Sequence, residues 1–217
     1  MKIYVDSANL AEIKSAAELG LCDGVTTNPT LIAKEGKGME KVIREIASFV
    51  KGPVHAETLS LKKDDILAEG RRYHGWAKNI VVKIPFCTEG LQAANVFQKE
   101  GIPTNITLIF SAAQALLAAK AGATYVCPFV GRLDDIGAEG MGVISEIMEI
   151  FGNQPEISTE VIVASIRHTQ HVLDSAKLGA HIATVPSKVL QQMAIHPLTE
   201  AGIAKFNEDA KKFEKLA

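Results

Sequence analysis

Runs of aliphatic and β-branched residues return along this chain at residues 3–5, 23–27, 53–58, 79–85, 103–109, 123–127, 157–163 and 181–185. Between most of them lie segments with apolar residues at helical spacing, among them 40–50, 91–99, 112–121 and 143–151. Strand starts about 25 residues apart suit right-handed βα units and a parallel sheet rather than a sandwich or a helical bundle. The runs read as nearly continuous hydrophobics, as in Ile80, Val81, Val82 and Ile84, which is the pattern of strands covered on both faces. Eight such units predict an α/β fold, a (β/α)8 TIM barrel. A doubly wound open sheet is the rival, but no G-x-G-x-x-G follows the first run. Gly101, Gly122, Gly152 and Gly179 fall where helices should stop. Residues 197–216 add a C-terminal helix whose apolar face (Ile203, Phe206, Ala210, Phe213) has no barrel strand left to cover, a candidate contact with a neighbouring subunit.

At 217 residues and 47% hydrophobic content the chain can bury one substantial core, and no Pro-rich or Ser-rich linker divides it, so residues 1–217 are expected to form one domain. A formal net charge of −2 with interspersed signs offers no basic field for nucleic acid or an anionic membrane surface. Cys22, Cys87 and Cys127 stand far apart without a C-x-x-C, which suggests neither a disulfide framework nor a zinc site. The opening apolar run is too short for a signal peptide and no segment has membrane-spanning length, so the expected compartment is the cytoplasm.

Barrels of this kind place their chemistry at the carboxyl ends of the strands. The polar residues falling there are Asp6, Thr26, Thr27, Asn28, Glu57, Lys83, Asn105, Thr107, Arg132, Ser165 and Arg167, with Phe129 among them. Lys83 sits in VVKIP; burial there would favour its neutral, nucleophilic form, against the alternative of a lysine snorkelling to water. Asp6 is either a general base or a helix cap, and Glu57 either an acid/base or a solvated loop residue. Arg132 and Arg167 converge on one rim and, with the Ser165 hydroxyl and the opening turn of the next helix, suit a phosphate; the alternative is two surface arginines paired with acids. Asn28 in TTNPT suits a turn amide or a sugar hydroxyl. His168 and His171, three apart on a helix, have no third ligand in view and read as a solvated face rather than a metal site.

The segments VDSAN, DGVTTNPTLI, VVKIP, EGI with TNITLIFS, CPFVGRLDD and ASIRH, in this order and spacing, resemble the transaldolase family, closely its short single-barrel branch. The resemblance implies that Lys83 is the Schiff-base lysine, Asp6 the base on a substrate hydroxyl, and Glu57 the acid/base relay acting through water. Asn28 and Asn105, with Thr107, would hold the dihydroxyacetone unit and the relay water, while Arg132, Ser165 and Arg167 would bind phosphate. It also implies phosphosugar substrates, no metal or organic cofactor, and a homo-oligomer, with a decamer of two pentameric rings among the assemblies expected. Fructose 6-phosphate aldolases of the same superfamily carry tyrosine at the position of Phe129 and glutamine at that of Glu57, so the chain sides with transaldolases at both. Cys127 departs from the serine common in the family. A non-catalytic barrel is the alternative from another class.

Overall fold

A computed structural model of the chain describes residues 1–214, with side chains through Lys212. Eight parallel strands, β1 (Lys2–Asp6), β2 (Gly24–Thr26), β3 (Val54–Glu57), β4 (Ile80–Pro85), β5 (Thr104–Ile109), β6 (Tyr125–Pro128), β7 (Glu160–Val163) and β8 (Ile182–Val185), close into a barrel in sequence order. The predicted fold is therefore the observed one. Pairing of β1 with β8, Lys2 beside Ile182 through Val5 beside Val185, leaves no open edge.

Side chains alternate across each strand, so β4 sends Ile80, Val82 and Ile84 outward to the helices and Val81 and Lys83 inward. The outward residues are fully buried, each contributing roughly 1.5–3 kcal/mol relative to an exposed position. Tyr4, Val81, Tyr125, Cys127, Ile162 and Ile182 pack inside the barrel.

The principal helices are α1 (Leu10–Glu18), α3 (Met39–Ala47), α4 (Lys63–His74), α5 (Thr88–Glu100), α6 (Ala112–Lys120), α8 (Gly140–Gly152), α9 (Thr169–Lys177) and α10 (Ser187–Met193). Their ends follow local chemistry. Asn9, Ser111 and His168 accept hydrogen bonds from the first turns of α1, α6 and α9, and Gly101 closes α5 in the left-handed conformation at φ 71°.

Two short helices, α2 (Pro29–Lys34) and α7 (Val130–Asp134), follow β2 and β6 and were not anticipated; neither is long enough for a periodic apolar pattern. The seventh apolar run also begins early, since residues 157–159 form a loop pinned by the Thr159 hydroxyl on the Ala123 carbonyl. The expected C-terminal helix is α11 (Pro197–Glu214). On it Ile203 and Phe206 are 55% and 75% exposed; the side chain of Phe213, and Leu216, lie outside the described residues. No described helix is long and apolar enough to cross a membrane.

Candidate active site

The strand register decides which groups meet at the carboxyl end of the barrel. Glu57 stands beside Lys83 across β3 and β4, Lys83 beside Asn105 across β4 and β5, and Asp6 beside Thr26 across β1 and β2. A cavity of about 410 Å³ opens there, within the range of small-molecule sites. Its wall includes Asp6, Asn28, Glu57, Lys83, Phe129, Arg132, Ser165 and Arg167, all named from the sequence. Asn105 and Thr107 are fully buried in the layer around Lys83 and lie outside that wall.

Lys83 is 2% exposed, and its Nζ lies 2.9 Å from Glu57 Oε2 and donates to the Thr27 carbonyl at 2.9 Å. It does not snorkel, and Glu57, 8% exposed on its strand, is no solvated loop residue. Burial pushes the Lys83 pKa down, but the Glu57 carboxylate, with Asp6 farther off, outweighs it and holds the pKa above the usual lysine value. This corrects the expectation from burial alone: before substrate arrives the group at this position is an ammonium paired to a carboxylate.

Asp6 caps no helix, since Asn9 caps α1. Its Oδ1 instead accepts from Thr26 Oγ1 at 2.9 Å, and that hydroxyl also touches Thr184 Oγ1 at 2.5 Å. Burial raises the Asp6 pKa above the ordinary carboxylate value, opposed by Lys83 and the Thr26 hydrogen bond. Cys127 forms part of the wall, and burial pushes its thiol up to about 11, so it is neutral near pH 7. His55 lies inside the barrel with Nδ1 3.0 Å from Asn105 Nδ2, its ring between Tyr4 and Tyr125. Burial, and then Lys83, lowers its pKa to about 3, which keeps it neutral. Asn105 Oδ1 and Thr107 Oγ1 make no well-formed hydrogen bond, although the Thr107 hydroxyl leans toward the Cys127 sulfur.

The rim is built differently. Arg132 is exposed on α7 with its guanidinium carbon 5.0 Å from the centre of the Phe129 ring, and among the described residues it has no acidic partner. Arg167 NH2 meets Asp135 Oδ2 at 2.7 Å, so the surface-pair alternative holds in part for this arginine. Ser165 and Arg167 precede α9 rather than open it, because the helix begins at Thr169, with His168 as its cap. Of the backbone donors expected in the opening turn, the His171 N–H is engaged by His168 Nδ1, and just before the helix the Arg167 N–H goes to His171 Nδ1. His171 is buried, which corrects its assignment to a solvated face.

Two wall residues outside glycine adopt positive φ, Leu108 at 58° and Ser165 at 59°. Leu108 sits in a bulge where β5 slips against β6, and strain of this kind gathers at functional sites. Gly131 permits the Ser165 turn, since a Cβ there would lie 2.1 Å from the Ser165 carbonyl oxygen, which accepts from the Gly131 N–H at 3.1 Å. Asn28 uses Oδ1 to cap α2 through the Leu31 N–H, as its turn reading expected. Thr184 is a wall residue that the sequence reading missed, and Thr26, placed there at a strand end, had no role given to it; the signal for both is an inward polar position on an otherwise apolar strand.

A family profile described as transaldolase/fructose-6-phosphate aldolase matches residues 3–217. A relative from Caldicellulosiruptor saccharolyticus named "Probable transaldolase" is 59% identical over 215 residues, covering 99% of both chains. One of the same name from Methanococcus maripaludis is 58% identical over 209 residues, covering 96% of this chain and 97% of its own. Among solved structures, a 3-hexulose-6-phosphate synthase matches 86% of this chain and 90% of its own with TM-score 0.62 at 16% identity, a likeness of fold alone. With a match across nearly its whole length, the chain belongs to the transaldolase/fructose-6-phosphate aldolase family of enzymes.

Proposed function

We propose that the protein is a transaldolase that carries a dihydroxyacetone unit from fructose 6-phosphate or sedoheptulose 7-phosphate to erythrose 4-phosphate or glyceraldehyde 3-phosphate, as a step of the non-oxidative pentose phosphate pathway. The observation that carries this reading is the buried Lys83–Glu57 pair at 2.9 Å on a cavity that also holds Asp6 and two rim arginines.

The Lys83 ammonium first gives a proton to Glu57, and the freed amine adds to the ketone carbon of the donor. Glu57, now protonated, returns the proton to the carbinolamine hydroxyl through water; water leaves and an iminium forms. Asp6 then takes the proton of the hydroxyl beside the breaking carbon–carbon bond. The aldose phosphate departs, and the electron pair of the broken bond stays on the lysine-bound enamine. Attack of that enamine on an acceptor aldehyde, with the proton returned from Asp6, reverses the sequence, and hydrolysis frees Lys83. An Asp6 pKa raised by burial suits a group that must both take and return this proton.

Asn28, Asn105 and Thr107 orient the three-carbon unit and the relay water. Arg132, Ser165 and Arg167 bind phosphate, with Phe129 beneath Arg132. The alternative within the family, an aldolase that releases free dihydroxyacetone, needs a group to protonate the enamine; Phe129 cannot do so, and the names of the relatives favour transfer. The uncovered apolar residues of α11 support assembly into a homo-oligomer of cytoplasmic barrels, which sedimentation at working concentration checks.

Borohydride reduction with fructose 6-phosphate, with and without erythrose 4-phosphate, followed by peptide mass mapping, tests residue and reaction together. A three-carbon adduct on Lys83 and acceptor-dependent sedoheptulose 7-phosphate are expected. Acceptor-independent release of dihydroxyacetone would move the assignment to the aldolase, and absence of an adduct would sink the Schiff base.

A further inference from the structure

The two sides of the rim come from different βα loops. Arg132 rides on α7 after β6, whereas Ser165 and Arg167 lie in the loop after β7. Backbone hydrogen bonds from Val130 to Ala164 and from Gly131 to Ser165 join the roots of the two loops, but farther out both arginine side chains are exposed and held by one ring contact and one surface pair, so a phosphate clamp needs a further tie to fix their spacing.

His171, in the first turn of α9, reaches both sides. Its Nδ1 accepts from the Arg167 backbone N–H at 3.2 Å, and its Nε2 lies 2.8 Å from Asp134 Oδ2 on α7. An imidazole whose Nδ1 accepts must carry its proton on Nε2, so the contact with Asp134 is a donated hydrogen bond and needs no positive charge. The other Asp134 oxygen, Oδ1, accepts from the Gly140 N–H at 2.9 Å, which ties the end of α7 to the start of α8. His168 steadies the ring from the outside, with centroids 3.9 Å apart.

We infer that His171 is a positioning residue: through Asp134 on one side and the Arg167 backbone on the other, it sets the distance between the rim arginines and so the affinity for a phosphorylated sugar. The inference rests on the phosphate role proposed above for Arg132 and Arg167. Burial, reinforced by His168, holds its pKa below the usual histidine value against the pull of Asp134, which fits a neutral bridge.

The test compares fructose 6-phosphate with fructose, which lacks only the phosphate, as donors for the intact enzyme. In His171→Phe, the KM for fructose 6-phosphate should rise about tenfold or more while kcat changes by less than about threefold, the loss of hydrogen bonds that orient charged groups. Its kcat/KM on fructose should stay within about twofold of the wild type, because the reacting end is untouched. Should that variant fail to fold, Asp134→Ala, at a half-exposed position, carries the same test with a KM rise of about three- to tenfold. An equal loss on both sugars, or no loss on either, overturns the inference. A wild type that does not prefer the phosphorylated sugar removes the phosphate reading and this inference with it; a wild type that does, with variants keeping the same preference, removes only the inference.

Discussion

Lys83, Glu57 and Asp6 stand on strands of a closed barrel, and their neighbours are fixed by hydrogen-bond register, whereas Arg132, Ser165 and Arg167 stand on a short helix and a loop joined by two backbone hydrogen bonds, Val130 to Ala164 and Gly131 to Ser165, and beyond these by side-chain ties such as that of His171. The first group is buried or nearly so; the two arginines of the second are open to water. A charge pair in the barrel is costly to break, because the surviving partner stays desolvated, while an exposed arginine is exchanged for solvent at little cost until a ligand arrives. Rigid placement thus goes to the groups that move protons and form bonds, and adjustable placement to the groups that grip the far end of the substrate.

The largest effect follows from removing the nucleophile. Lys83→Met should abolish the borohydride adduct and lower kcat by about 10⁴-fold or more, as loss of a covalent nucleophile does. A variant retaining more than a few per cent of wild-type activity would detach the chemistry from the strand-held end and leave the comparison without its first term.

Asp6→Asn comes next, with kcat lowered by about 10²–10⁴-fold, the range for a general base, and with Lys83 still trapped by borohydride. Stability should move the other way. The folded pKa of Asp6 is raised, burial being the main cause, so ionising the carboxylate in the folded state costs stability, and that cost disappears as pH falls through the folded pKa. Asp6→Asn should therefore have a higher Tm than the wild type at pH 7, and the gap should close toward pH 4. Thermal unfolding at several pH values reads it directly; a Tm below the wild type at pH 7 would mean that Asp6 is a structural carboxylate.

At the rim, the expected change is in KM rather than kcat. Arg132→Ala and Arg167→Ala should each raise the KM for fructose 6-phosphate by about 10- to 100-fold, the worth of a charge-assisted contact with phosphate. Arg132 should cost more, because Arg167 already shares its charge with Asp135. Steady-state kinetics on both donors checks this, and a fall in kcat on fructose would erase the division between the two regions.

How the two regions could be read from sequence follows the same division. The strand ends were enough to bring Lys83, Asp6 and Glu57 to one mouth of the barrel, but the nearly continuous apolar run around VVKIP left Lys83 between burial and snorkelling. That Glu57 lies beside Lys83 is a matter of register between strands, which local pattern does not contain, so the lysine read as a desolvated neutral amine. At the rim, α7 is too short to show a period, the positive φ of Leu108 and Ser165 carries no glycine signal, and His171 looks solvated unless the neighbouring loop is seen to cover it.

Cys127 offers the smallest effect and the finest division, within the strand-held end itself. It lines the cavity between β5 and β7, opposite Thr107 in register, yet its thiol, pushed up to about 11 by burial, neither titrates near neutrality nor makes a well-formed hydrogen bond with Thr107. In Cys127→Ser the hydroxyl is smaller and a stronger partner for Thr107 Oγ1. One added hydrogen bond of about 1 kcal/mol should offset most of the lost apolar volume, leaving stability within about 1 kcal/mol of the wild type. If only Lys83, Glu57 and Asp6 carry protons and bonds, kcat should change by less than about threefold. A drop beyond about tenfold would show that the alignment supplied by Thr107 depends on the residue at 127, and would extend the rigid region one strand further around the barrel.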